Sequence, residues 1–239
     1  MSVSIAAIVL AGGSGSRVHE DVNKVYMPIG ERPMLAYSLD TLDRFQRVDQ
    51  VIVVAREEDR HQAETLVDEV ISSKPTRIAK GGSSRHLSEV AGLGTLREEI
   101  ADGSVDLIAI HDGARPFVTL QLLDDLVDAA VEHDGAIPGL PIVEPLYRVG
   151  ADDVDLLEPG TMRRVQTPQV FRAEPLLAAY DASLEVGFEG VDTAETVERF
   201  SDVDVMVVPG DPRNIKVTFV EDFYTAEEYA TQWERGAWV

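Results

Sequence analysis

A glycine-rich stretch near the start of the sequence contains residue types that bind phosphate. It has the sequence VLAGGSGSR from Val9 to Arg17 and overlaps the end of the apolar run Ile5–Leu10. Glycines allow positive φ angles and have no Cβ, so their N–H groups can approach a phosphate closely. Arg17 adds a planar fork of donors. Because an ordinary strand-to-helix turn explains the glycines alone equally well, the stretch needs support from the rest of the chain.

The stretch differs from the dinucleotide-binding fingerprint. Val18 stands where a third glycine belongs, and residues 19–28 form an irregular polar segment that contains Lys24 rather than the start of a helix. A loop with Arg17 and Lys24 suits a triphosphate better than the backbone-bound pyrophosphate of a dinucleotide. A nicotinamide-dependent oxidoreductase is therefore disfavoured.

Composition excludes several classes of function. The 239 residues include 43 acidic and 21 basic side chains, a net charge of −22, which argues against binding to nucleic acid or to an anionic membrane. Cysteine is absent, and the five histidines lack zinc-like spacing. The apolar start has no basic leader region, and no run reaches the ~20 apolar residues of a membrane span. We expect a soluble cytoplasmic protein.

The hydrophobic pattern predicts one α/β domain over residues 1–239. Strands alternate with helices, which is typical of a parallel sheet with right-handed crossovers. Helices are predicted at 33–45, 57–72, 84–100, 120–132, 174–186, 192–200 and 220–233, and strands at 5–10, 50–55, 76–79, 105–110, 136–140 and 203–208.

Three polar loops follow strands of this predicted sheet. They are the opening glycine loop, residues 81–85 (GGSSR) and residues 111–116 (HDGARP). Ligands of such sheets bind at the carboxyl ends of the strands. We therefore expect the three loops to converge on one site.

The alternation of strands and helices stops at residue 142. Residues 142–149 and 154–157, joined by a turn at 150–152, predict a β-hairpin with few inward positions. A hairpin with so little core needs a partner, so we interpret residues 142–162 as an arm that reaches across a homodimer. A local edge hairpin is the alternative.

The loops collect cations around one carboxylate. The basic residues are Arg17, Lys24, Arg85, Arg115 and, late in the chain, Lys216. Asp112 directly follows a predicted buried strand and is the candidate ligand for Mg²⁺, with phosphate oxygens and water as the other ligands. A turn-capping role for Asp112 is equally compatible with its position.

Cations and one carboxylate, without a nucleophilic triad, suit transfer at phosphorus, where positioning and charge stabilisation provide most of the catalysis. An attacking phosphate monoester is largely a dianion at neutral pH and needs no general base. The predicted product is a nucleoside-diphosphate conjugate, with pyrophosphate leaving.

Five motifs together resemble the 2-C-methyl-D-erythritol 4-phosphate cytidylyltransferase family, whose frame the ribitol-5-phosphate cytidylyltransferases share. They are LAGGSGSR at 10–17, GGSSRHLS at 81–88, HDGARP at 111–116, QTPQ at 166–169 and NIKVT at 214–218. The resemblance implies a Rossmann-like nucleotidyltransferase fold in three layers, a homodimer formed through the hairpin arm, CTP as substrate and Mg²⁺.

The resemblance also assigns roles to particular residues. Arg17 and Lys24 would stabilise the transition-state charge, Lys216 would contact phosphate at the reacting centre, and Asp112 would bind the metal. The residues that would surround cytosine, ribose and triphosphate are Ala11, Gly12, Gly13, Gly82, Arg85 and Ser88.

This sequence departs from the family pattern at the lysine and on the acceptor side. Asn23 and Val25 flank Lys24 where the family usually has Pro and Gln. Glu144-Pro145 replaces a common Asp-Thr, and Pro159 replaces an arginine that reaches the partner's substrate phosphate. Arginines that stand in the same region are Arg148, Arg163 and Arg164.

Two alternatives remain open beside a cytidylyltransferase for methylerythritol phosphate. One is an enzyme of the same class that uses ribitol phosphate or another polyol or sugar phosphate. The other is a non-catalytic nucleotide-binding homologue. The departures at Pro145 and Pro159 concern the acceptor, so they leave the nucleotide half of the interpretation intact.

The first testable prediction concerns the two cations of the opening segment. Arg17→Ala and Lys24→Ala should each lower turnover far more than the free energy of unfolding, because both residues lie in loops outside the predicted core. Steady-state kinetics and urea unfolding measure the two effects. Near-normal turnover in either variant would contradict the role assigned to that residue.

Overall fold

The apolar run at the start of the chain forms the central strand of the sheet. The computed structural model describes residues 3–13, 23–150, 153–158 and 160–236. Strand β1 (Ile5–Leu10) lies between β4 (Gln50–Ala55) and β6 (Leu107–Asp112) and is parallel to both. Because β1 is buried on both faces, its sequence is apolar throughout and does not alternate.

The predicted alternation of strands and helices is confirmed. The other strands are β2 (Pro28–Ile29), β3 (Arg32–Pro33), β5 (Thr76–Lys80), β7 (Gly135–Pro141), β8 (Tyr147–Val149), β9 (Val154–Leu156), β10 (Arg163–Val165), β11 (Gln169–Arg172) and β12 (Val205–Pro209). The α-helices are α1 (Met34–Arg44), α2 (Arg60–Val70), α3 (Arg85–Gly94), α4 (Arg97–Ala101), α5 (Leu120–His133), α6 (Ala173–Glu185), α7 (Thr193–Phe200) and α8 (Val220–Glu234). Among the described helices, none is long and apolar enough to span a bilayer.

The six predicted strands, β1, β4, β5, β6, β7 and β12, run in one direction, which confirms the predicted parallel arrangement, but two further strands, β10 and β11, run antiparallel and make the sheet mixed. Strands β6, β1, β4 and β5 are parallel neighbours in that order. On the other side of β6 comes β11, which is antiparallel to both β6 and β7. Strand β10 is also antiparallel to β7, and β12 is parallel to it. The chain returns through β10 and β11 after the hairpin without a crossover helix, and this return reverses the strand direction.

Helices cover both faces of the sheet, which confirms the three-layer fold. Along β1, Ala7 and Val9 face the layer of α1, α2, α5 and α8. Ala6 and Ile8 face the opposite layer of α3, α4, α6 and α7. The alternation of side chains along a strand thus divides one apolar run between two cores.

Several segments differ in the structure from what the sequence predicts. The helix predicted at 84–100 is interrupted after Gly94 and forms α3 and α4. The segment 163–171 forms two strands, separated by Gln166, Thr167 and Pro168, with a cis peptide bond between the last two. Strand β6 extends two residues beyond its predicted end, so Asp112, the second residue of the predicted HDGARP loop, is the last residue of the strand.

The predicted hairpin is present as β8 and β9, paired antiparallel with Tyr147 opposite Leu156 and Val149 opposite Val154. All six strand residues are exposed. The treatment of residues 1–239 as one domain with an arm at 142–162 stays a prediction.

His86 anchors α3, the helix that begins at the predicted site. Its ring is buried and stacks on Tyr180 of α6 at 4.8 Å between ring centroids. Its Nε2 lies 3.0 Å from the Ser183 hydroxyl, and its Nδ1 lies 3.4 Å from the Thr196 hydroxyl. Burial lowers the pKa of His86 below its ordinary value of 6.5; Glu189 raises it and Arg85 lowers it further.

The second testable prediction follows from this pKa. Because the unfolded chain protonates His86 more readily than the folded chain does, the stability that the neutral ring contributes is lost as the pH falls through about 6.5. His86→Gln should lower the free energy of unfolding at pH 7.5 and should also weaken its decrease between pH 7.5 and 5.5. Urea unfolding at both pH values measures this, with the exposed His61→Gln as control. An unchanged pH dependence in His86→Gln would contradict it.

Candidate active site

The three predicted loops converge on one cleft at the carboxyl ends of the strands, as expected. The cleft has a volume of about 650 Å³. Its walls come from the loops after β1, β5 and β6, the turn around Lys24 and the segment before α8. The residues lining it are Leu10, Gly12, Gly13, Lys24, Val25, Gly82, Ser83, Ser84, Arg85, Ser88, Asp112, Ala114, Lys216 and Thr218.

Asp112 stands at the centre of the charged side chains in the cleft. Its Oδ2 accepts a hydrogen bond from Lys216 Nζ at 2.6 Å, and its Oδ1 accepts one from Arg85 Nε at 3.1 Å. Burial alone would raise the pKa of Asp112, but the charges of Arg85 and Lys216 outweigh it and hold the pKa well below its usual range. Asp112 is therefore a carboxylate at neutral pH.

A second, fully buried carboxylate holds the other side of Arg85. Glu89 Oε1 accepts a hydrogen bond from Arg85 Nη1 at 2.7 Å and another from the Thr193 hydroxyl. Burial raises the pKa of Glu89, and the charge of Arg85 counters it. Arg85 Nη2 is buried and has no hydrogen-bond partner within the described residues.

Thr167, in the segment between β10 and β11, forms a hydrogen bond with the backbone at the end of β6. The Thr167 hydroxyl accepts from Asp112 N at 2.9 Å and lies 3.2 Å from His111 Nδ1. Asn214 Nδ2 donates to the Thr167 carbonyl at 2.7 Å. Through these bonds the QTPQ motif supports the backbone at Asp112, and it is joined to the NIKVT motif, which carries Lys216.

The structure shows the surroundings of two side chains of the HDGARP loop, His111 and Arg115. Burial lowers the pKa of His111 to about 4, so the ring is neutral at pH 7. Arg115 is not among the residues lining the cleft; its Nη1 donates to the carbonyl of Asn214 at 2.9 Å. Of the predicted cations, Arg115 thus braces the segment that carries Lys216.

The loop after β5 depends on glycine and on a helix cap. A Cβ on Gly82 would lie 2.4 Å from the Leu87 Cβ, so the loop can approach α3 this closely only with glycine. Ser84 caps α3 through its side chain, which accepts from Leu87 N. The uncapped N–H groups of the first turn favour an anion in the adjacent cleft.

The described structure contains most, but not all, of the predicted site residues. Lys24, Gly12, Gly13, Gly82, Arg85, Ser88, Asp112 and Lys216 line the cleft. Ala11 does not; its side chain is buried in the core and its carbonyl accepts from Asn23 Nδ2. Arg17 and Pro159 lie outside the described residues. The ligand contacts assigned to all these residues stay predictions.

Sequence reasoning missed several residues that shape the cleft. Ser84 carries the recognisable signal of a helix cap, a serine directly before the helix. Glu89 stands four residues after Arg85, the spacing at which helical side chains meet. Thr218 is the last residue of the NIKVT motif, although the resemblance assigns a role only to Lys216 of that motif.

Chemically, the cleft can bind a polyanion and stabilise developing negative charge. Among the described residues that line it, Lys24, Arg85 and Lys216 are basic and Asp112 alone is acidic. Within the described ranges, no group of three or more His, Asp or Glu side chains is placed to hold a metal ion.

Comparison with known sequences agrees with this chemistry. The sequence model of the 2-C-methyl-D-erythritol 4-phosphate cytidylyltransferases matches residues 5–232. The chain belongs to this family. Members are nucleotidyltransferases, so the chain is an enzyme by descent, and the resemblance read from its motifs is confirmed.

Individual cytidylyltransferases resemble the chain over most of its length. The enzyme of that name from Caldanaerobacter subterraneus subsp. tengcongensis is 34% identical over 94% of this chain and 98% of its own. The one from Geobacter metallireducens is 35% identical over 95% and 97%. The crystal structure of 4-diphosphocytidyl-2C-methyl-D-erythritol synthase from Anaerococcus prevotii superposes with a TM-score of 0.83 at 29% identity and covers 97% of this chain and 100% of that one.

Proposed function

We propose that the protein transfers the cytidylyl group of CTP to 2-C-methyl-D-erythritol 4-phosphate and releases pyrophosphate. The observation that carries this proposal is the gathering of Lys24, Arg85, Asp112 and Lys216 around one cleft at the carboxyl ends of the strands. The names of the related enzymes supply the base and the acceptor.

In this reaction an oxygen of the acceptor's phosphate monoester attacks the α-phosphorus of CTP. A new P–O bond forms, and the bond to the pyrophosphate oxygen breaks. Negative charge develops on the transferring group, where Lys24 and Lys216, with Arg17 from outside the described residues, would stabilise it. The monoester is already a dianion near neutral pH, so no side chain has to remove a proton.

Mg²⁺ fits the donor set of the cleft. Asp112 is ionised, and carboxylate, phosphate and water oxygens are the ligands that Mg²⁺ uses in proteins. Bound there, the ion would neutralise charge on the triphosphate. Lys216 and Arg85, which now bind Asp112, would keep its carboxylate oriented.

We also propose a homodimer formed through the arm. The arm is the segment that connects β7 to β10. Tyr147, Val149, Val154 and Leu156 lie on one face of the β8–β9 hairpin, between 55% and 73% exposed. Arg148 and Asp155 pair on the opposite face at 2.8 Å. A two-stranded hairpin is marginally stable alone, so an apolar face of this kind needs a covering surface.

The dimer proposal predicts that Tyr147→Glu shifts the protein toward monomer, because the variant would bury a charge in the interface. Sedimentation velocity over a range of concentrations measures this. Val191→Glu, at a more exposed apolar residue outside the arm, is the control. A wild-type monomer at all concentrations would contradict the proposal.

The identity of the acceptor is inferred from the family more than from the geometry of the cleft. Glu144 and Pro145 are exposed, and Arg163 donates to the Gly160 and Met162 carbonyls. Ribitol phosphate therefore remains the second candidate acceptor. A cytoplasmic location stays a prediction from the sequence.

The activity test uses CTP, Mg²⁺ and a panel of acceptors, with pyrophosphate release as the readout. We expect turnover with methylerythritol phosphate that exceeds turnover with ribitol phosphate, because the relatives are named for the former. Turnover with ribitol phosphate alone would replace the acceptor. CTP binding without pyrophosphate release for any acceptor would indicate a non-catalytic homologue instead.

A separate prediction concerns Lys216. Lys216→Ala should lower kcat by about 10²- to 10³-fold, because it removes one preorganised positive charge from the reacting centre. Lys74→Ala is the matched control. Lys74 lies before the amino end of β5, whereas the cleft is at the carboxyl ends of the strands, and it donates to the Val48 carbonyl. We expect the control to stay within about twofold of wild-type kcat. Equal kcat in the two variants would contradict the role of Lys216.

A further inference from the structure

Asn23, directly before Lys24, is a buried side chain with three hydrogen bonds. It is only 2% exposed. Its Nδ2 donates to the Ala11 carbonyl at 2.6 Å and to Asp59 Oδ2 at 2.8 Å. Its Oδ1 accepts from Val25 N at 3.4 Å and so caps the 3-10 helix Lys24–Tyr26. The amide therefore joins the segment after β1, the turn that carries Lys24 and the residue before α2.

Asp59 is in turn held firmly by Arg56. Arg56 Nε donates to Asp59 Oδ2 at 2.6 Å, and Arg56 Nη2 donates to Asp59 Oδ1 at 2.9 Å. Arg56 directly follows β4, and Asp59 directly precedes α2. A bidentate pair of this kind is geometrically specific, so the acceptor that Asn23 uses is fixed relative to the sheet.

Through these contacts, one amide sets the position of the lysine turn relative to the glycine loop. The Ala11 carbonyl immediately precedes Gly12, which lines the cleft together with Lys24. A displacement of about 1 Å at a reacting centre can cost about 10²-fold in rate. Holding Lys24 and Gly12 at a constant distance would therefore preserve the rate of the proposed reaction.

The backbone at Asn23 has φ −70° and ψ 117°, which proline also adopts. Proline is the residue that the family usually has before its lysine. In this chain the hydrogen bonds of the Asn23 side chain restrict the backbone that a proline ring would restrict.

We infer that Asn23 is a positioning residue for Lys24, and that it acts through its hydrogen bonds to Ala11 and to the Arg56–Asp59 pair. The inference rests on the proposed catalytic role of Lys24. It assigns the Asn-for-Pro difference a defined function and adds Asp59 and Arg56 to the residues that support the site.

The test compares variants at position 23 by steady-state kinetics. Asn23→Ala should lower kcat about 10- to 100-fold while KM for CTP changes less than about threefold, because a displaced Lys24 weakens transition-state binding. Asn23→Pro should recover most of the lost kcat. In the Asn23→Ala background, Asp59→Ala should cause no further loss of kcat, because its contribution passes through Asn23.

Thr41→Val is the control for a purely structural role. Thr41 is equally buried and donates to the carbonyls of Tyr37 and Val118, within α1 and away from the cleft. It should lower the urea midpoint without lowering kcat. Should Asn23→Ala fail to fold, Asn23→Pro and the single variant Asp59→Ala carry the same comparison.

Two results would overturn the inference: kcat of Asn23→Ala within twofold of wild type, or a proline variant no faster than the alanine variant. Either result leaves the proposed function standing if Lys24→Ala is inactive. Near-normal kcat in Lys24→Ala would instead remove the catalytic role of Lys24, on which the inference rests.

Discussion

The ion pairs of Asp112 with Lys216 and Arg85 are the interaction on which the cleft depends. They join the end of β6, the start of α3 and the segment before α8, which are far apart in sequence. Asp112 and Arg85 are largely removed from water, so the loss of any partner would leave a buried charge uncompensated. The pairs therefore keep the loops together and keep two cations at the cleft surface before any ligand binds.

A second set of contacts keeps this arrangement rigid. The Thr167 hydroxyl accepts a hydrogen bond from the backbone N–H of Asp112, and Asn214 donates to the Thr167 carbonyl. Glu89 accepts a hydrogen bond from Arg85. Preorganised donors of this kind stabilise developing charge without reorganising during the reaction. In a chain with a net charge of −22, the cations of the cleft also form a local exception that favours an anionic substrate.

Much of the site was predictable because polar loops after apolar strands follow a topological rule. The rule located Gly82, Arg85, Asp112 and Lys24 near one another without any contact being known. It could not reveal that Arg115 braces Asn214 rather than lining the cleft, since both functions require an arginine in the same loop. It also could not reveal Glu89, whose importance depends on burial under α7 and not on its residue type.

The sequence by itself determined the alternation of strands and helices, the family and the chemical character of the loops, because these follow from local periodicity and from motifs. Only the tertiary structure decided the antiparallel strands β10 and β11 and the partners of each buried polar group, which depend on contacts between distant segments. The glycine loop illustrates the division. Its residues indicate phosphate binding, while its position relative to Lys24 is set by Asn23, whose partners Ala11 and Asp59 come together only in the folded chain.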